Sequence, residues 1–237
     1  MSLAPSASRA PALNESLAET LSRWQSEAQA LAKQGVYDWL CTRIEARRVL
    51  EIGCGFGTST AALVKAGKTV FALDNRMDCL EAAKVRSPEV TYGLADVHQT
   101  HDLLIQDLKE FAPEAVVCWL GGAPADALPQ EVPAQYRVMQ HRLALQHAVI
   151  QLAQQLPSVR TIHLADRTAF PWKMKDTAKQ TLCQMLSGPV IEKSSFAVRV
   201  DDIQFRRLTD VVAAPASGVA AGLVAVMGEA TLRRTPM

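Results

Sequence analysis

A chain of 237 residues that is 49% hydrophobic can bury the core of one α/β domain and carry a helical addition. Its formal net charge of +1 excludes the broad basic footprint of a general nucleic-acid binder. Its five cysteines, Cys41, Cys54, Cys79, Cys118 and Cys183, form no C-x-x-C pair, so neither a zinc site nor a disulfide framework is suggested. They are expected to be free, mostly buried thiols of a cytoplasmic protein.

Residues 1–12 are rich in Ala, Ser and Pro, lack the apolar run of a signal peptide and are expected to be disordered. Leu13, Leu17, Leu21 and Trp24 recur at helical spacing, and Ala28, Leu31 and Ala32 continue the same face. The helix starts at a cap, Asn14 or Ser16, and runs towards Lys33. After Gly35 a short helix, Val36 to Ile44, carries Tyr37, Trp39 and Leu40. Aromatics at this spacing point to packing more than to ligand contact. Residues 13–46 thus form a helical segment ahead of a main domain, 47–237, and are expected to cover part of the ligand site.

Val49 to Ile52 reads as a strand, Gly53-Cys54-Gly55-Phe56-Gly57 as a tight turn and Thr58 to Ala66 as a helix stopped by Gly67. Thr69 to Leu73 is a second strand, ending at Asp74, and residues 78–84 are a helix. Val90 to Ala95 is a third strand, ending at Asp96, followed by a helix from Asp102 to Phe111. Ala115 to Leu120 is apolar throughout, as a central parallel strand should be. A Pro-rich loop then runs to Pro133, a helix spans Gln135 to Leu156, and Thr161 to Ala165 is a fifth strand. Asp166 to Lys175 reads as a loop and Asp176 to Leu186 as a helix closed by Gly188-Pro189. Strand patterns follow at Phe196 to Val200 and Ile203 to Leu208. The apolar stretch 211–228 is too rich in Ala and Gly, and too broken by Pro215, for a membrane span. Two strands joined by a turn at 215–218 fit it better, with the pairing of the last strands left open.

The run Glu51-x-Gly53-x-Gly55-x-Gly57 resembles the first motif of class I S-adenosylmethionine-dependent methyltransferases. Asp74, 17 positions beyond Gly57, resembles the acid of the second motif, and Asp96 the acid after the third strand. The resemblance covers the chain from Val49 onward and is strongest from Val49 to Val97. It implies a seven-stranded, mostly parallel Rossmann-like sheet with helices on both faces and antiparallel C-terminal strands. It also implies S-adenosyl-L-methionine as the cofactor. Asp74 would take the ribose hydroxyls, with Asn75 beside the adenosine. Asp96 would take the adenine amino group, with the Val97 amide near the ring. Gly53, Cys54, Gly55, Phe56 and Gly57 would form the loop at the amino-acid end, with Glu51 serving the ammonium directly or through water. Trp119, in the fourth strand, completes the cofactor set. A dinucleotide fingerprint fails, since its third glycine would fall at Thr58.

The acceptor is less legible. Trp119, His141, Asp166, Arg167 and Trp172 are candidates to face it, with His141 and Asp166 as candidate bases. His98 and His101 lack a third ligand, so no metal is expected. Neither an Asp/Asn-Pro-Pro-Tyr/Phe run nor a Pro-Cys pair follows the fourth strand, which disfavours DNA. A small-molecule acceptor is the expectation. A protein or RNA acceptor, or a non-catalytic cofactor-binding module of the same fold, remains the alternative. No membrane partner is expected, and assembly state is not legible.

Overall fold

The computed structural model describes residues 15–209 and 223–235. The expected disordered start, Leu13, Asn14 and the turn at 215–218 lie outside the described residues. Helix α1 (Leu17–Lys33) opens with a capping box on Ser16. The Ser16 Oγ accepts from the Glu19 amide at 3.3 Å, and the Glu19 carboxylate accepts from the Ser16 amide at 2.8 Å. Helix α2 (Val36–Cys41) is shorter than its sequence pattern. The amides of Arg43 and Ile44 donate three residues back, to Leu40 and Cys41, so the chain tightens out of the α-helix there.

Strands and helices then alternate. They are β1 (Arg48–Ile52), α3 (Thr58–Lys65), β2 (Thr69–Asp74), α4 (Met77–Arg86), β3 (Thr91–Leu94), α5 (Asp102–Phe111), β4 (Ala115–Trp119), α6 (Ala134–Gln154) and β5 (Thr161–Phe170). Beyond these come α7 (Lys175–Leu186), α8 (Pro189–Glu192), β6 (Phe196–Ala197), β7 (Ile203–Arg207) and β8 (Val224–Arg234). The sheet order is β3-β2-β1-β4-β5-β8-β6, with β7 also on β8. Strands β1 to β5 are parallel, and β8 is antiparallel to β5, β6 and β7. This is the mixed α/β sheet with antiparallel C-terminal strands that the first motif implies. Eight strands stand where seven were expected, because the seventh position is split: β6 and β7 take successive parts of the same edge of β8.

Period-two alternation divides the core. On β4, Val116 and Cys118 face the layer of α5 to α8, while Ala115, Val117 and Trp119 face α1 to α4. Strand β5 runs to Phe170, five residues past its sequence estimate. Asp166, Arg167 and Thr168 look loop-like alone, yet β8 pairs with β5 from Thr161 to Phe170. The α1–α4 side also holds a polar cluster. Glu229 on β8 is fully buried and accepts from Thr231 Oγ1 at 2.7 Å, with His163 Nδ1 at 3.0 Å and Arg43 Nε at 3.3 Å. It ties the chain after α2 to the far half of the sheet. Among the described residues no helix is long and apolar enough to cross a membrane.

Candidate active site

The glycine loop is fixed from beneath. The amides of Gly53 and Cys54 both donate to the carbonyl of Leu73, at 2.8 and 3.1 Å, which ties the end of β1 to the end of β2. Gly53 has φ +75°, and a Cβ added there would meet nothing, so glycine serves backbone conformation at that position. Gly57 has φ +74°, and a Cβ there would lie 2.8 Å from Ala83 Cα, so glycine also lets α4 approach. Asp74 joins the two loops: Oδ2 accepts from the Gly55 amide at 2.8 Å and Oδ1 from the Arg76 amide at 3.0 Å. Burial pushes its carboxyl above the usual range, against the pull of those two amides and Arg76. Asp96 caps the short 3-10 turn Val97–Gln99, its Oδ1 accepting from the His98 amide at 2.9 Å.

These strand ends open onto a cavity of about 420 Å³. That volume is in the range of small-molecule sites. Gly53, Cys54, Gly55 and Phe56 line it from the loop, Asp74 and Asn75 from β2, and Asp96 and Val97 from β3. Trp119, His141 and Arg167 line it as well. Glu51, Gly57, Asp166 and Trp172 are not in the lining.

Each of the four has a physical reason. Glu51 points to the α3 side of β1, where its carboxylate accepts from Ser59 Oγ at 2.5 Å and Thr60 Oγ1 at 2.6 Å. Burial pushes it up to about 7, although the two hydroxyls pull the other way. Gly57 is covered by α4. Asp166 accepts from the Arg167 amide at 2.7 Å and pairs with Arg142 Nε at 2.9 Å, so its carboxylate is engaged beside the cavity. Trp172 lies past the end of the lengthened β5, stacked on Phe170 with a 7° tilt and covered by the Arg207 guanidinium at 4.2 Å. Among the described residues no cluster of His, Cys, Asp and Glu could hold a metal ion, and His98 and His101 form none.

The N-terminal segment was expected as a cover over cofactor or substrate, but the charged residues it presents were not foreseen. Arg23, Trp24, Glu27 and Ala28 of α1 line the cavity, and Glu27 pairs with Arg167 at 3.0 Å. Arg23 pairs in turn with Glu15 at 2.9 Å and Glu27 at 3.2 Å. The i,i+4 spacing of Arg23 and Glu27 was visible, but not which way that face points. Along the same cavity the backbone turns at Leu120, a non-glycine residue with φ +60°. Its amide donates to the Ala165 carbonyl at 2.8 Å, which holds a conformation that branched side chains rarely adopt. A Cβ on Gly121 would collide with Leu145, and one on Gly122 would touch Trp24. This turn is therefore wedged between α6 and α1.

Five buried side-chain atoms among the described residues have no hydrogen-bond partner: Thr58 Oγ1, Arg76 Nε, Trp119 Nε1, His141 Nε2 and Arg142 Nε. All five belong to residues lining this cavity. Folded proteins leave few such atoms, so their concentration here marks a place that a polar ligand completes. His141 is held below the usual histidine range, first by burial and then by His98 and Arg142, so its ring is neutral near pH 7.

The sheet order, with β8 antiparallel beside β5, defines a Rossmann-like mixed α/β fold. No protein-family model matches the chain. The chain is 40% identical over 55 residues to trans-aconitate 2-methyltransferase of Delftia acidovorans, a match spanning 22% of the chain and 20% of that relative. Among solved structures it is similar to the methyltransferase domain of a bacterial Hen1, with TM-score 0.48, 13% identity and coverage of 88% and 100% of the two chains. It is also similar to magnesium protoporphyrin IX methyltransferase from Synechocystis PCC 6803 with bound SAH, with TM-score 0.45, 14% identity and coverage of 92% and 87%. The N-methyltransferase NodS from Bradyrhizobium japonicum WM9 in complex with S-adenosyl-L-homocysteine gives TM-score 0.46, 12% identity and coverage of 90% and 88%.

Proposed function

We propose that this chain is an S-adenosylmethionine-dependent methyltransferase of the cytoplasm that acts on a small molecule. The observation that carries this reading is the cavity at the carboxyl ends of β1 to β4. There a glycine turn, two strand-end carboxylates and all five unpartnered buried polar atoms converge. The residues fit the cofactor. Asp74 keeps lone pairs for ribose hydroxyls beyond those taken by the Gly55 and Arg76 amides. Asp96 has Oδ2 to accept an adenine amino group while Oδ1 caps its turn. Thr58, at the start of α3, offers a hydroxyl and a helix N-terminus to the cofactor's carboxylate. Glu51 acts from behind, fixing α3 through Ser59 and Thr60.

When bound, S-adenosylmethionine supplies a methyl group on a sulfonium sulfur, which leaves as a neutral thioether when an acceptor lone pair takes the methyl carbon. The chain's own task is alignment and exclusion of water. Helix α1, bolted to β5 through Glu27 and Arg167, supplies part of the cavity wall. The neutral, unpartnered His141 Nε2 can hold a proton that an acceptor must lose. A cavity of about 420 Å³ under a helix leaves room for a small acceptor rather than a macromolecular one.

Isothermal titration with S-adenosylhomocysteine tests the reading, with a Kd in the micromolar range expected. Absence of heat at millimolar ligand refutes it. Asp74→Ala should weaken binding at least a hundredfold, because two charge-assisted hydrogen bonds of roughly 1.5–3 kcal/mol each are lost.

A further inference from the structure

The part of the cavity lining that comes from α1, β5 and α6 has a chemistry of its own. Its charged members are Arg23, Arg142, Arg167 and Glu27. Arg142 is anchored by Asp166, which does not line the cavity, while Arg23 is shared between Glu15 outside the lining and Glu27 within it. Asp166 engages one nitrogen of Arg142, and a guanidinium has five donors.

The unpartnered atoms on this wall add a second, independent observation. Trp119 is 6% exposed, and its indole Nε1 is buried without a partner. Arg142 Nε is also buried and meets Asp166 only as an ion pair, out of line for a hydrogen bond. Both are donors that cannot accept, so a ligand satisfies them only by presenting lone pairs. A cationic amine acceptor would leave these donors unsatisfied.

Resting on the methyltransferase reading above, we propose that the acceptor is a small carboxylate-bearing molecule. Arg142 and Arg167 hold its carboxylate, and the Trp119 N–H donates to one of its oxygens. A planar guanidinium matches a carboxylate's two oxygens in a way that a lysine could not. The rest of this wall is aromatic and aliphatic, including Trp24 and Leu145, so the body of the acid is apolar or flat.

The test is thermal denaturation of the whole chain saturated with S-adenosylhomocysteine. Added probes are succinate, glutarate and phenylacetate, their uncharged amides, inorganic phosphate and methylamine. At least one acid should raise the midpoint by 2 °C or more beyond S-adenosylhomocysteine alone, with its amide adding less than half of that. The acid increment should vanish in Arg142→Gln and shrink in Trp119→Phe. The proposal is overturned if no acid adds to the shift, or if amides, phosphate or methylamine match the acids. It is also overturned if Arg142→Gln abolishes the S-adenosylhomocysteine shift itself, because the arginine would then hold the cofactor's own carboxylate. Should that variant fail to fold, the acid-against-amide comparison on the unaltered chain still decides. A chain that S-adenosylhomocysteine does not stabilise at all fails the methyltransferase reading instead, and that arm is read first.

Discussion

Gly53 and Gly57 share nearly the same backbone angle but not the same surroundings, so alanine at each separates two costs. At Gly57 an alanine must adopt φ +74° and put its Cβ 2.8 Å from Ala83 Cα and 2.9 Å from Ala83 Cβ. The left-handed conformation costs roughly 1–2 kcal/mol for a residue with a Cβ. Forcing a methyl group against the backbone of α4 adds roughly 1–3 kcal/mol, since Ala83 belongs to a helix and cannot swing away. At Gly53, with φ +75° and nothing within 4 Å, only the first cost applies. For a domain of this size each kcal/mol lowers the melting midpoint by about 2–4 °C. Gly57→Ala should therefore fall by roughly 4–20 °C and Gly53→Ala by roughly 2–8 °C in calorimetry without ligand. The order should reverse in ligand response, because Gly53 lines the cavity and Gly57 does not. Gly53→Ala should lose more of its S-adenosylhomocysteine shift. Equal falls in midpoint for the two variants would refute the assignment of Gly57 to helix packing.

Glu51 should make stability depend on pH. Its folded carboxyl lies at about 7, above the ordinary 4.5 of the unfolded chain. The folded state therefore keeps a proton that the unfolded state has lost, and stability falls as pH rises from about 4.5 to 7. At 1.36 kcal/mol per unit this amounts to about 3 kcal/mol, and Glu51→Gln should flatten the denaturant midpoint across that window. At the buried cluster, Glu229→Ala should cost roughly 3–5 kcal/mol in urea denaturation, because the buried hydrogen bonds to Thr231 and His163 lose their acceptor. Arg43→Ala should cost roughly 1 kcal/mol or less, because the Arg43 side chain is 29% exposed and water already shares its charge. Ala112, at the end of α5, has φ +50°, so Ala112→Gly should raise the melting midpoint by about 2–4 °C.

The parts of the molecule that were legible are those in which neighbours in sequence are neighbours in space. The glycine turn, Asp74 and Asp96 each lie at or just after the end of a strand, and chain order with parallel strands brings them to one end of the sheet, where they line one cavity. Helix α5 matches its predicted bounds because a capping residue and an αL stop are local signals. Legibility failed where a distant segment decides the outcome. Asp166 to Phe170 is a strand only because β8 supplies ten consecutive partners for β5. Trp172 was one candidate to face the acceptor and lies outside the cavity lining, past the end of that same extension. Glu51 was expected at the ligand, but strand alternation turns it towards α3, where Ser59 and Thr60 already wait eight and nine residues on. Arg23, Glu27 and Arg142 could be named only once α1 and α6 had been docked, since a charged helix position carries no sign of what it faces.

The insertion of β8 between β5 and the β6–β7 edge has a consequence for how the chain is made. Strand β8 is internal to the sheet but follows every other strand in sequence. About 64 residues separate the end of β5 at Phe170 from the end of β8 at Arg234. At a ribosomal pace of about 5–20 residues per second, β5 waits roughly 3–13 s with an open flank. A naked flank invites pairing with a neighbouring nascent chain. The outer half of β5 carries Asp166, Arg167 and Thr168, and charged side chains of this kind blunt such an edge. The polarity that disguised this half-strand as a loop also protects it until its partner emerges.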